Sequence, residues 1–524
     1  MAEFATTVFA RKLAGSLAVL ACATTLHAQP IKMRLYVDRD APTGGDGFSW
    51  ASAFNDLQDA FEVRREAILA DVEIRIAEGR YTPDRGTMDT GSSFEIETVP
   101  TYSANSALTL SIRGGFAGLG HADPDERDPS RFVTVLSGDL AGDDGPDFAN
   151  REDNCEHVIF APNGPQVRVE LDGLVIEGGN AREGNGGGIC VNVPRFQDGS
   201  VSLTDCIVRD NLASSGGGIF VCPAADLFAS HGGLLVSGGM VSGNRATRDG
   251  GGIYCDDAKL HATQIVDNEA AYGGGFAGGG YEPSVGRLEF DRVLVAGNRA
   301  TIAGGGIYTR WIRGYRLTLA QNRAPLGSGA LAEYWIDISF SIVAGNAGAP
   351  RAVETGEWKN YLKSSCVVGG LAQLGPEAPE VRGFLIEKDP RFVDPVGLDR
   401  DPMRASDNDY RLLADSPCID IVGCGSRLFG LPLIDPLGSY ACVDVTVFEC
   451  DRGLLIMDLG AFEYQPQHDC GDFNRDGVRN SQDILEYLDA YAARLSTADL
   501  VRPCGTPRSE DFAEMLRRFE EGCP

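Results

Sequence analysis

The chain has 524 residues, with 75 Asp and Glu against 46 Lys and Arg and a formal net charge of -29. Such an acidic protein would repel a nucleic acid, so we do not predict a nucleic-acid binder. Hydrophobic residues make up 43% and charged residues 23%, as in globular chains. Glycine is in excess: it accounts for 66 of the 524 residues, about one in eight, whereas it makes up roughly 7% of an ordinary domain. We therefore expect a turn-rich or repeated architecture.

The N-terminus carries the pattern of a secretory signal peptide over residues 1–28. Arg11 and Lys12 precede an uncharged apolar run at 13–23, and Ala28 offers a small residue for cleavage. The run is about half of the ~20 residues that a membrane span needs, and no comparable stretch follows, so no membrane span is predicted. Lipoprotein-type processing at Cys22 stays open as an alternative. The mature protein is expected to be secreted or attached to a bacterial cell surface.

The cysteines are interpreted on the expectation that the protein is exported. Of the 14, Cys22 lies in the leader, so an odd number remains and at least one thiol has no partner within the mature chain. An oxidising compartment would allow the others to pair. The spacing favours local disulfide loops over a zinc site for Cys418, Cys424, Cys442 and Cys450.

One pattern recurs through the middle of the chain: a branched apolar residue, two variable residues and Asn, followed by a Gly-Gly-Gly-apolar step. One copy runs from Val241 to Asn244 and on to 250–253. The asparagines give a basic period of 24 residues, with insertions that are expected in loops. Their positions are Asn180, Asn211, Asn244, Asn268, Asn298, Asn322 and Asn346.

Short β-rich stretches surround each asparagine, with too little helix-forming sequence between them for one helix per repeat. One such unit cannot bury its own apolar face, so the coils must stack with strands about 4.8 Å apart. The predicted fold class is therefore all-β, a parallel β solenoid. Glycine supplies positive φ angles at corners, and one Asn per coil can form an amide ladder. The glycine steps are interpreted as structural, because no helix N-terminus or lysine follows them as in a phosphate loop. Cys190 and Cys222 are expected to share a face on neighbouring coils, as a disulfide or as stacked thiols.

These residues resemble the repeats of bacterial secreted right-handed parallel β-helix proteins of the polymorphic outer membrane protein type. Gly-Gly-Ile stands here for the family's Gly-Gly-Ala-Ile, and Val, Ile or Leu stands for the Phe of Phe-x-x-Asn. The flanks resemble the start of such proteins and the closing segment called choice-of-anchor Q. The resemblance covers roughly residues 34–464, and it implies a pectate-lyase-like solenoid and a surface destination without an activity. The matching flank segments are 36–38, 50–60, 79–83, 114–118, 136–140, 389–395, 409–412, 416–420 and 458–463.

Helical periodicity over residues 52–70 independently predicts an N-terminal helix that caps the open end of the solenoid. The expected organisation, in chain order, is a signal peptide, a cap with the first coil, the β-helix repeats, closing coils with a disulfide-rich segment, and a small C-terminal module. These divisions are 1–28, 29–100, 101–375, 376–466 and 467–524.

The tail contains a candidate calcium loop at residues 472–483. Oxygen-bearing side chains lie at loop positions 1, 3, 5, 9 and 12, Gly477 occupies position 6, and position 7 offers a backbone carbonyl. Because Ca²⁺ takes six to eight oxygen ligands in this geometry, we predict one calcium ion here. The predicted ligands are Asp472, Asn474, Asp476, Val478, Asn480 and Asp483.

Little room remains before this loop for an entering helix, and the module resembles a dockerin half in which only the exiting helix is kept. Residues 481–488 are echoed by 509–516, but the second copy lacks the acidic ligands, so only one Ca²⁺ is expected. The resemblance implies a small α-helical, EF-hand-type module that contacts a cohesin-like or cell-envelope partner. The contact positions it implies are Ser481, Gln482, Ser509 and Glu510.

The solenoid carries no recognisable catalytic set, and the catalytic residues stay unassigned. Polysaccharide lyases and polygalacturonases use the same fold, but fold does not determine activity. Asp256 and Asp257 alone resemble part of a polygalacturonase motif, while Asp205, Asp210 and Asp267 are interpreted as solvated turn residues. A further acidic cluster lacks a defined ligand spacing for a cation. Its members are Asp139, Asp143, Asp144, Asp147 and Asp153.

The sequence therefore predicts a secreted or cell-surface β-helix protein that binds or displays at the surface, in association with polysaccharide. A calcium-dependent dockerin-like tail would tether it. The alternative is a polysaccharide lyase or glycoside hydrolase that uses a groove of the β-helix.

Overall fold

The structure is a computed structural model, and the ranges that it describes cover most of the repeat region and part of the closing segment. They are 31–67, 70–96, 108–162, 168–193, 201–223, 233–278, 288–356, 360–375, 380–400, 404–413, 416–419, 422–423, 456–462, 484–485 and 487–488.

Strands dominate the described residues. The first half contains β1 (Ile31–Val37), β2 (Ala70–Ala77), β3 (Gly79–Tyr81), β4 (Phe94–Glu95), β5 (Thr109–Phe116), β6 (Thr134–Ser137), β7 (Ile159–Ala161), β8 (Arg168–Asp172), β9 (Val175–Glu177), β10 (Asn180–Asn185), β11 (Ile189–Val193), β12 (Val201–Thr204), β13 (Ile207–Arg209), β14 (Leu212–Ser215), β15 (Ile219–Pro223), β16 (Leu234–Ser237), β17 (Met240–Ser242), β18 (Arg245–Asp249), β19 (Ile253–Cys255) and β20 (Ala258–His261).

The second half continues with β21 (Gln264–Val266), β22 (Glu269–Tyr272), β23 (Phe276–Gly278), β24 (Leu288–Asp291), β25 (Leu294–Ala296), β26 (Arg299–Ala303), β27 (Ile307–Tyr315), β28 (Thr318–Ala320), β29 (Ala330–Ser339), β30 (Ile342–Ala344), β31 (Val353–Thr355), β32 (Tyr361–Val367), β33 (Glu380–Ile386), β34 (Phe392–Asp394), β35 (Asp409–Leu412), β36 (Val422–Gly423) and β37 (Ile456–Met457). The helical elements are α1 (Leu57–Glu66) and three short 3₁₀ helices at Trp50–Ser52, Pro146–Phe148 and Gly370–Gln373.

The chain coils so that each strand pairs in parallel with the equivalent strand of the next coil, which defines four faces. Face 1 stacks β1, β2, β5, β8, β12, β16, β20, β24, β27, β29, β32 and β33. Face 2 stacks β3, β6, β9, β13, β17, β21, β25, β28, β30 and the end of β32. Face 3 stacks β10, β14, β18, β22 and β26, and face 4 stacks β4, β7, β11, β15, β19, β23, β27, β29 and β31. The all-β parallel solenoid predicted from the repeat is confirmed, and it is a parallel β-helix.

The core lies inside the coil, because alternate residues of the strands point inward and stack on their equivalents in the next coil. Face 2 contributes a branched apolar row, whereas face 3 contributes a row of alanines that lets this face approach the opposite wall closely. The branched row is Ile176, Val208, Val241, Ile265, Val295, Leu319 and Val343, and the alanine row is Ala181, Ala213, Ala246, Ala270, Ala300 and Ala324.

The asparagine ladder lies at the corner between faces 2 and 3. In the middle of the ladder, Nδ2 of Asn268 donates to Oδ1 of Asn298 at 3.0 Å and to the Val241 carbonyl at 2.9 Å. The inclusion of Asn180 was wrong, because Asn180 pairs in register with Leu212, and Gly179 occupies the ladder position and donates its N–H to Asn211. The ladder members are Asn211, Asn244, Asn268, Asn298, Asn322 and Asn346.

The glycine steps lie at the corner between faces 3 and 4, and their structural role has a geometric cause. Gly250 has φ +64°, which side chains rarely adopt. The next residue, Gly251, has no room for a side chain, since a Cβ there would lie 2.4 Å from the carbonyl oxygens of Glu269 and Gly274 on the neighbouring coil. The repeated step therefore allows adjacent coils to approach at strand spacing.

The N-terminal end of the coil is covered by α1, which contacts β1, β2 and β4. Leu57, Ala60 and Phe61 of this helix belong to the main core. The predicted capping helix is present but shorter than the periodicity over 52–70 indicated. A 3₁₀ turn at Trp50–Ser52 and a β-bridge at Phe54 occupy the part that precedes it.

The closing segment does not continue the coil throughout but packs on the outside of face 2. Tyr410, Ala461 and Phe462 form a cluster with the outer side of β21, β25 and β28. The backbone N–H of Ala461 donates to Oγ1 of Thr318 at 2.9 Å. The closing segment thereby covers the end of face 2.

The structure also changes the expectations for the cysteines. Cys190 pairs in register with Phe220, while Asn192 pairs with Cys222, so Cys190 and Cys222 are not direct neighbours across the two strands. No disulfide is present among the described residues. Cys418 lies in a buried cluster with Cys366 of the last face 2 strand, whereas Cys424, Cys442 and Cys450 lie outside the described residues.

Candidate functional site: a polar groove across five coils

An open groove of about 1150 Å³ crosses the corner between faces 2 and 3. It extends from the coil of Glu177 to the coil of Gly297. Four strand spacings separate these coils, so the groove is about 19 Å long. A cleft of this length and width suits an extended chain better than a compact small molecule.

The floor of the groove follows the corner row that precedes the asparagine ladder. This row has left-handed backbone at every coil of the groove, and it alternates between glycine and aspartate. A Cβ on Gly243 would lie 2.9 Å from Oδ1 of Asp210, and one on Gly297 would lie 2.4 Å from Oδ1 of Asp267. Each aspartate side chain therefore lies over the glycine of the following coil, which explains why both residue types occur at one position. The row is Gly178, Asp210, Gly243, Asp267 and Gly297.

The wall towards the N-terminal coils is the loop 139–151. Asp139 holds this loop, because its carboxylate accepts the backbone N–H groups of Gly142, Asp143 and Asp144 at 2.7 to 3.4 Å. Oδ2 of Asp139 also lies 3.1 Å from Nη2 of Arg80. The loop is thus fixed to the coil beside it.

The opposite wall is the turn at 404–406 of the closing segment. Asp267 accepts the N–H of Ala405 at 2.5 Å and that of Ser406 at 2.8 Å, and burial raises the pKa of its carboxyl group in spite of these bonds. Asp267 is therefore an anchor for this wall rather than a solvated turn residue. The outward row of face 2 changes from polar to apolar at this wall. In the groove it consists of Glu177, Arg209 and Ser242. Beneath or beyond the closing segment it consists of Val266, Ala296, Ala320 and Ala344.

All the cationic side chains that line the groove are arginines, and most of them face a carboxylate. Arg209 lies 2.8 Å from Glu177, and Arg245 lies 3.2 Å from Glu269. Arg299 forms no ion pair with any residue that the structure describes. The six lining arginines are Arg80, Arg151, Arg209, Arg245, Arg299 and Arg404.

Phe148 in the loop wall adds an aromatic ring to this polar site. The guanidinium carbons of Arg151 and Arg245 each lie 4.7 Å from the centre of the ring. Phe148 has φ +63°, and its neighbour Asp147 has φ +54°. Left-handed backbone at a bulky residue is unfavourable and is held by surrounding structure, so the loop is built to keep this ring at the groove.

Asp144, like Asp210 and Asp267, is a carboxyl group of the groove whose pKa is raised by burial. Its Oδ1 lies 3.2 Å from Nε of Arg151, and Nδ2 of Asn154 donates to its Oδ2 at 3.0 Å. Burial raises the pKa of Asp144 against the influence of both neighbours. The group would therefore retain a proton to a higher pH than an ordinary aspartate.

Face 1 carries two other clefts, of about 870 and 580 Å³. Their charged side chains largely neutralise each other across the strands. Arg34 lies 3.1 Å from Glu73, and Lys259 lies 3.6 Å from Glu289. Within the described residues, neither of these clefts is lined by the loop 139–151 or by the closing segment, so we regard the corner groove as the candidate site.

The sequence-based candidates separate clearly. Asp210 and Asp267 lie in the groove, while Asp205, Asp256 and Asp257 do not line it. In the acidic cluster, Asp139, Asp143 and Asp153 each have one carboxylate oxygen within 4.8 Å of the other two. The carboxylate of Asp139, however, accepts hydrogen bonds from the backbone N–H groups of Gly142 and Asp143. The ten predicted calcium and partner-contact residues Asp472, Asn474, Asp476, Val478, Asn480, Ser481, Gln482, Asp483, Ser509 and Glu510 lie outside the described residues.

The arginines of the groove were missed from the sequence, although a signal for part of them was present. The residue after each ladder asparagine is charged in four successive copies, and it lies on the outer side of face 3. These residues are Arg245, Glu269, Arg299 and Arg323. Arg80, Arg151 and Arg404 come from distant segments and gave no such signal.

Comparisons with known proteins agree with the repeat architecture. Residues 240–256 match the family model described as Chlamydia polymorphic membrane protein (Chlamydia_PMP) repeat. No curated protein matches the chain. Among solved structures, the chain is similar to the crystal structure of pectate lyase Pel9A, with 12% identity, a TM-score of 0.33, and coverage of 84% of this chain and 98% of that chain. The strand pairing described above establishes the fold without this last likeness.

The matched repeat spans β17, the ladder residue Asn244, β18 and the glycine step before β19. The chain is thus a parallel β-helix in which residues 240–256 match this repeat model. Among the described helices, none has the length and apolar character to cross a membrane.

Proposed function

We propose that this protein acts at the bacterial cell surface or outside the cell, where its corner groove binds an extended polysaccharide. The observation that carries the proposal is the groove itself: an open polar cleft across five coils, bounded by two fixed walls, beside the part of face 2 that the closing segment covers. Surface location is supported by the signal-peptide pattern and by the polymorphic-membrane-protein repeat.

Sugar chains suit such a cleft because they present hydroxyl groups that need donors and acceptors, and ring faces that pack on aromatic side chains. The groove offers guanidinium donors, carboxylate acceptors, and Phe148 on its wall. Its length of about 19 Å would hold roughly four sugar units if each unit spans about 5 Å, which is close to the spacing between neighbouring strands.

The test is a binding screen of residues 29–524 on immobilised neutral and charged glycans, with two tryptophan variants. Ser242→Trp places an indole on the groove floor from a side chain that already points outward. Thr247→Trp is the control, since Thr247 is exposed on the same coil and does not line the groove. We expect binding by the wild type and Thr247→Trp, and at least a tenfold loss in Ser242→Trp. Equal binding by both variants, or no glycan bound by the wild type, would refute the proposal.

A second candidate function, glycan cleavage, is favoured by the raised pKa of Asp144. A carboxylic acid with a raised pKa can act as the proton donor to a glycosidic oxygen, as one of the two carboxyl groups in glycoside hydrolysis. Release of reducing ends from a bound glycan would support it, if Asp144→Asn abolished turnover and preserved binding. The neighbouring exposed Asp143 provides the control variant, Asp143→Asn. No turnover by the wild type would exclude this function.

For the tail, we propose that one Ca²⁺ binds at residues 472–483 and orders a dockerin-like module. The support is the spacing of the six ligands Asp472, Asn474, Asp476, Val478, Asn480 and Asp483 in the sequence. Ser481, Gln482, Ser509 and Glu510 would then contact a cohesin-like or cell-envelope partner, and the tail would tether the β-helix to the surface.

A further inference from the structure

One row on the outer side of face 3 departs from the charge pairing seen elsewhere. Arg245, Glu269, Arg299 and Arg323 follow each other in register on four successive coils. Glu269 lies 3.2 Å from Arg245, which leaves Arg299 and Arg323 adjacent to each other. Neither of these two arginines forms an ion pair within the part of the chain that the structure describes.

Adjacent like charges in register are unfavourable in a sheet. Several outward arginines of this protein face a carboxylate on the next strand, as Arg34 faces Glu73. Arg299 is in register with Glu269 on one side and with Arg323 on the other, and both arginine side chains are exposed to solvent. An anionic ligand would supply the missing negative charge.

The position of this pair connects it with the groove. Arg299 lines the groove at the end bounded by the closing segment, and Arg404 faces it from that wall. Arg404 is itself largely exposed, with only a 3.8 Å contact to Asp399. Two cationic side chains, those of Arg299 and Arg404, thus line this end of the groove, beside the carboxylates of Asp267 and Glu269.

We infer that the Arg299 end of the groove binds the acidic substituents, carboxylate or sulfate, of an anionic polysaccharide. This inference rests on the proposed function, and it specifies the class of glycan. Arginine suits the task because its planar group donates two parallel hydrogen bonds to a carboxylate or sulfate. With a formal charge of -29 the protein as a whole repels polyanions, so the attraction must come from these local contacts.

The test uses matched pairs of probes: polygalacturonate, alginate and hyaluronate, each with its methyl-esterified neutral form, and chondroitin sulfate with its desulfated form. The inference predicts that at least one acidic form binds residues 29–524 about tenfold more tightly than its neutral form. This is the factor expected for one charge-assisted hydrogen-bonded contact. Arg299→Gln should remove most of that difference, and Arg323→Gln should remove part of it.

Arg182→Gln is the matched control, because Arg182 is an exposed arginine of face 3 that does not line the groove. It should retain the wild-type preference. The outcomes separate the two proposals. Equal binding of acidic and neutral forms, or a preference that survives Arg299→Gln, overturns the inference and leaves the groove as a glycan site. Absence of binding to every glycan overturns both, and displacement of the polymer by millimolar sodium sulfate would identify a site for small anions instead.

Discussion

Asn244 donates two hydrogen bonds to one atom of Asn268, since its backbone N and its Nδ2 each lie 3.0 Å from Oδ1 of Asn268. The same relationship repeats along the ladder at each coil. The corner that carries the groove floor is therefore tied to the next coil by side chains as well as by backbone.

Asn268→Ala should lower the free energy of unfolding by about 3 kcal/mol or more, because it leaves buried donors of Asn244 and a buried carbonyl of Val241 without partners. Asn180→Ala is the control. The repeat pattern places Asn180 in the same class, but its side chain donates to the Arg151 carbonyl outside the ladder. Urea denaturation should show a clearly smaller loss for Asn180→Ala, and equal losses would contradict the ladder as described.

Much of this architecture could be predicted because it is periodic. The repeat of Asn and Gly-Gly-Gly fixes the coil, and the side-chain alternation follows from strand geometry. Asn180 was misassigned because Gly179 takes the ladder position in this coil and Asn180 follows it directly. Since Asn and Gly both tolerate this corner, the sequence pattern does not show that the asparagine is one residue out of register. The groove was less predictable, since its walls come from 139–151 and 404–406, which are far apart in the chain and meet only through contacts such as Asp267 with Ala405.

The buried ion cluster around Asp291 gives a prediction about pH. Oδ2 of Asp291 lies 3.0 Å from Nδ1 of His261, and Oδ1 lies 2.7 Å from Nη2 of Arg316. Burial alone would raise the pKa of Asp291, but the bond with His261 and the charges of Arg316 and Arg292 outweigh it and hold the pKa below its usual value. An aspartate with a lowered folded-state pKa stabilises the fold above its unfolded pKa, near 3.9, and loses this contribution as the pH falls through the folded value.

Asp291→Asn should therefore lower the free energy of unfolding by about 3 kcal/mol at pH 7, and the difference from the wild type should shrink below about pH 4. Thermal unfolding between pH 7 and pH 3 measures this. The control is Asp337→Asn, a half-buried outward position on face 1. A difference that stays constant down to pH 3 would show that the charge of Asp291 is not responsible.

Cys366 and Cys418 give a prediction about export. Both are buried in one cluster, and the contact with the Cys418 thiol together with burial raises the pKa of Cys366. In an oxidising compartment the two thiols should form a disulfide, with transfer of two electrons to a thiol-oxidising catalyst. This pairing differs from the local loops that the cysteine spacing favoured.

Peptide mapping without reductant should find the 366–418 linkage in protein secreted by its host. Closing a loop of about 50 residues should add about 4 kcal/mol to stability in the chain-entropy account. Cys366→Ser should remove this increment under oxidising conditions and have a smaller effect under reducing conditions. Linkage of Cys418 to Cys424, Cys442 or Cys450 instead would support the local-loop alternative.

The calcium proposal predicts that Asp472→Ala or Asp476→Ala weakens Ca²⁺ binding at least tenfold, which corresponds to about 1.4 kcal/mol or more. Each variant removes a carboxylate ligand from the loop at 472–483. Isothermal titration calorimetry of the full chain measures the affinity, with Asp499→Ala as an acidic control in the same tail. Unchanged binding in both loop variants would place the ion elsewhere or rule it out.

The most direct measurement of the central claim is hydroxyl-radical footprinting of the full chain with and without the tightest glycan from the screen. Phe148 is half-buried on the groove wall, whereas Phe48 and Leu398 are exposed and do not line the groove. If the groove binds the glycan, the glycan should protect Phe148 and leave Phe48 and Leu398 unchanged. Protection of Leu235 on face 1 with no change at Phe148 would contradict it, because the bound chain would then lie in a different cleft.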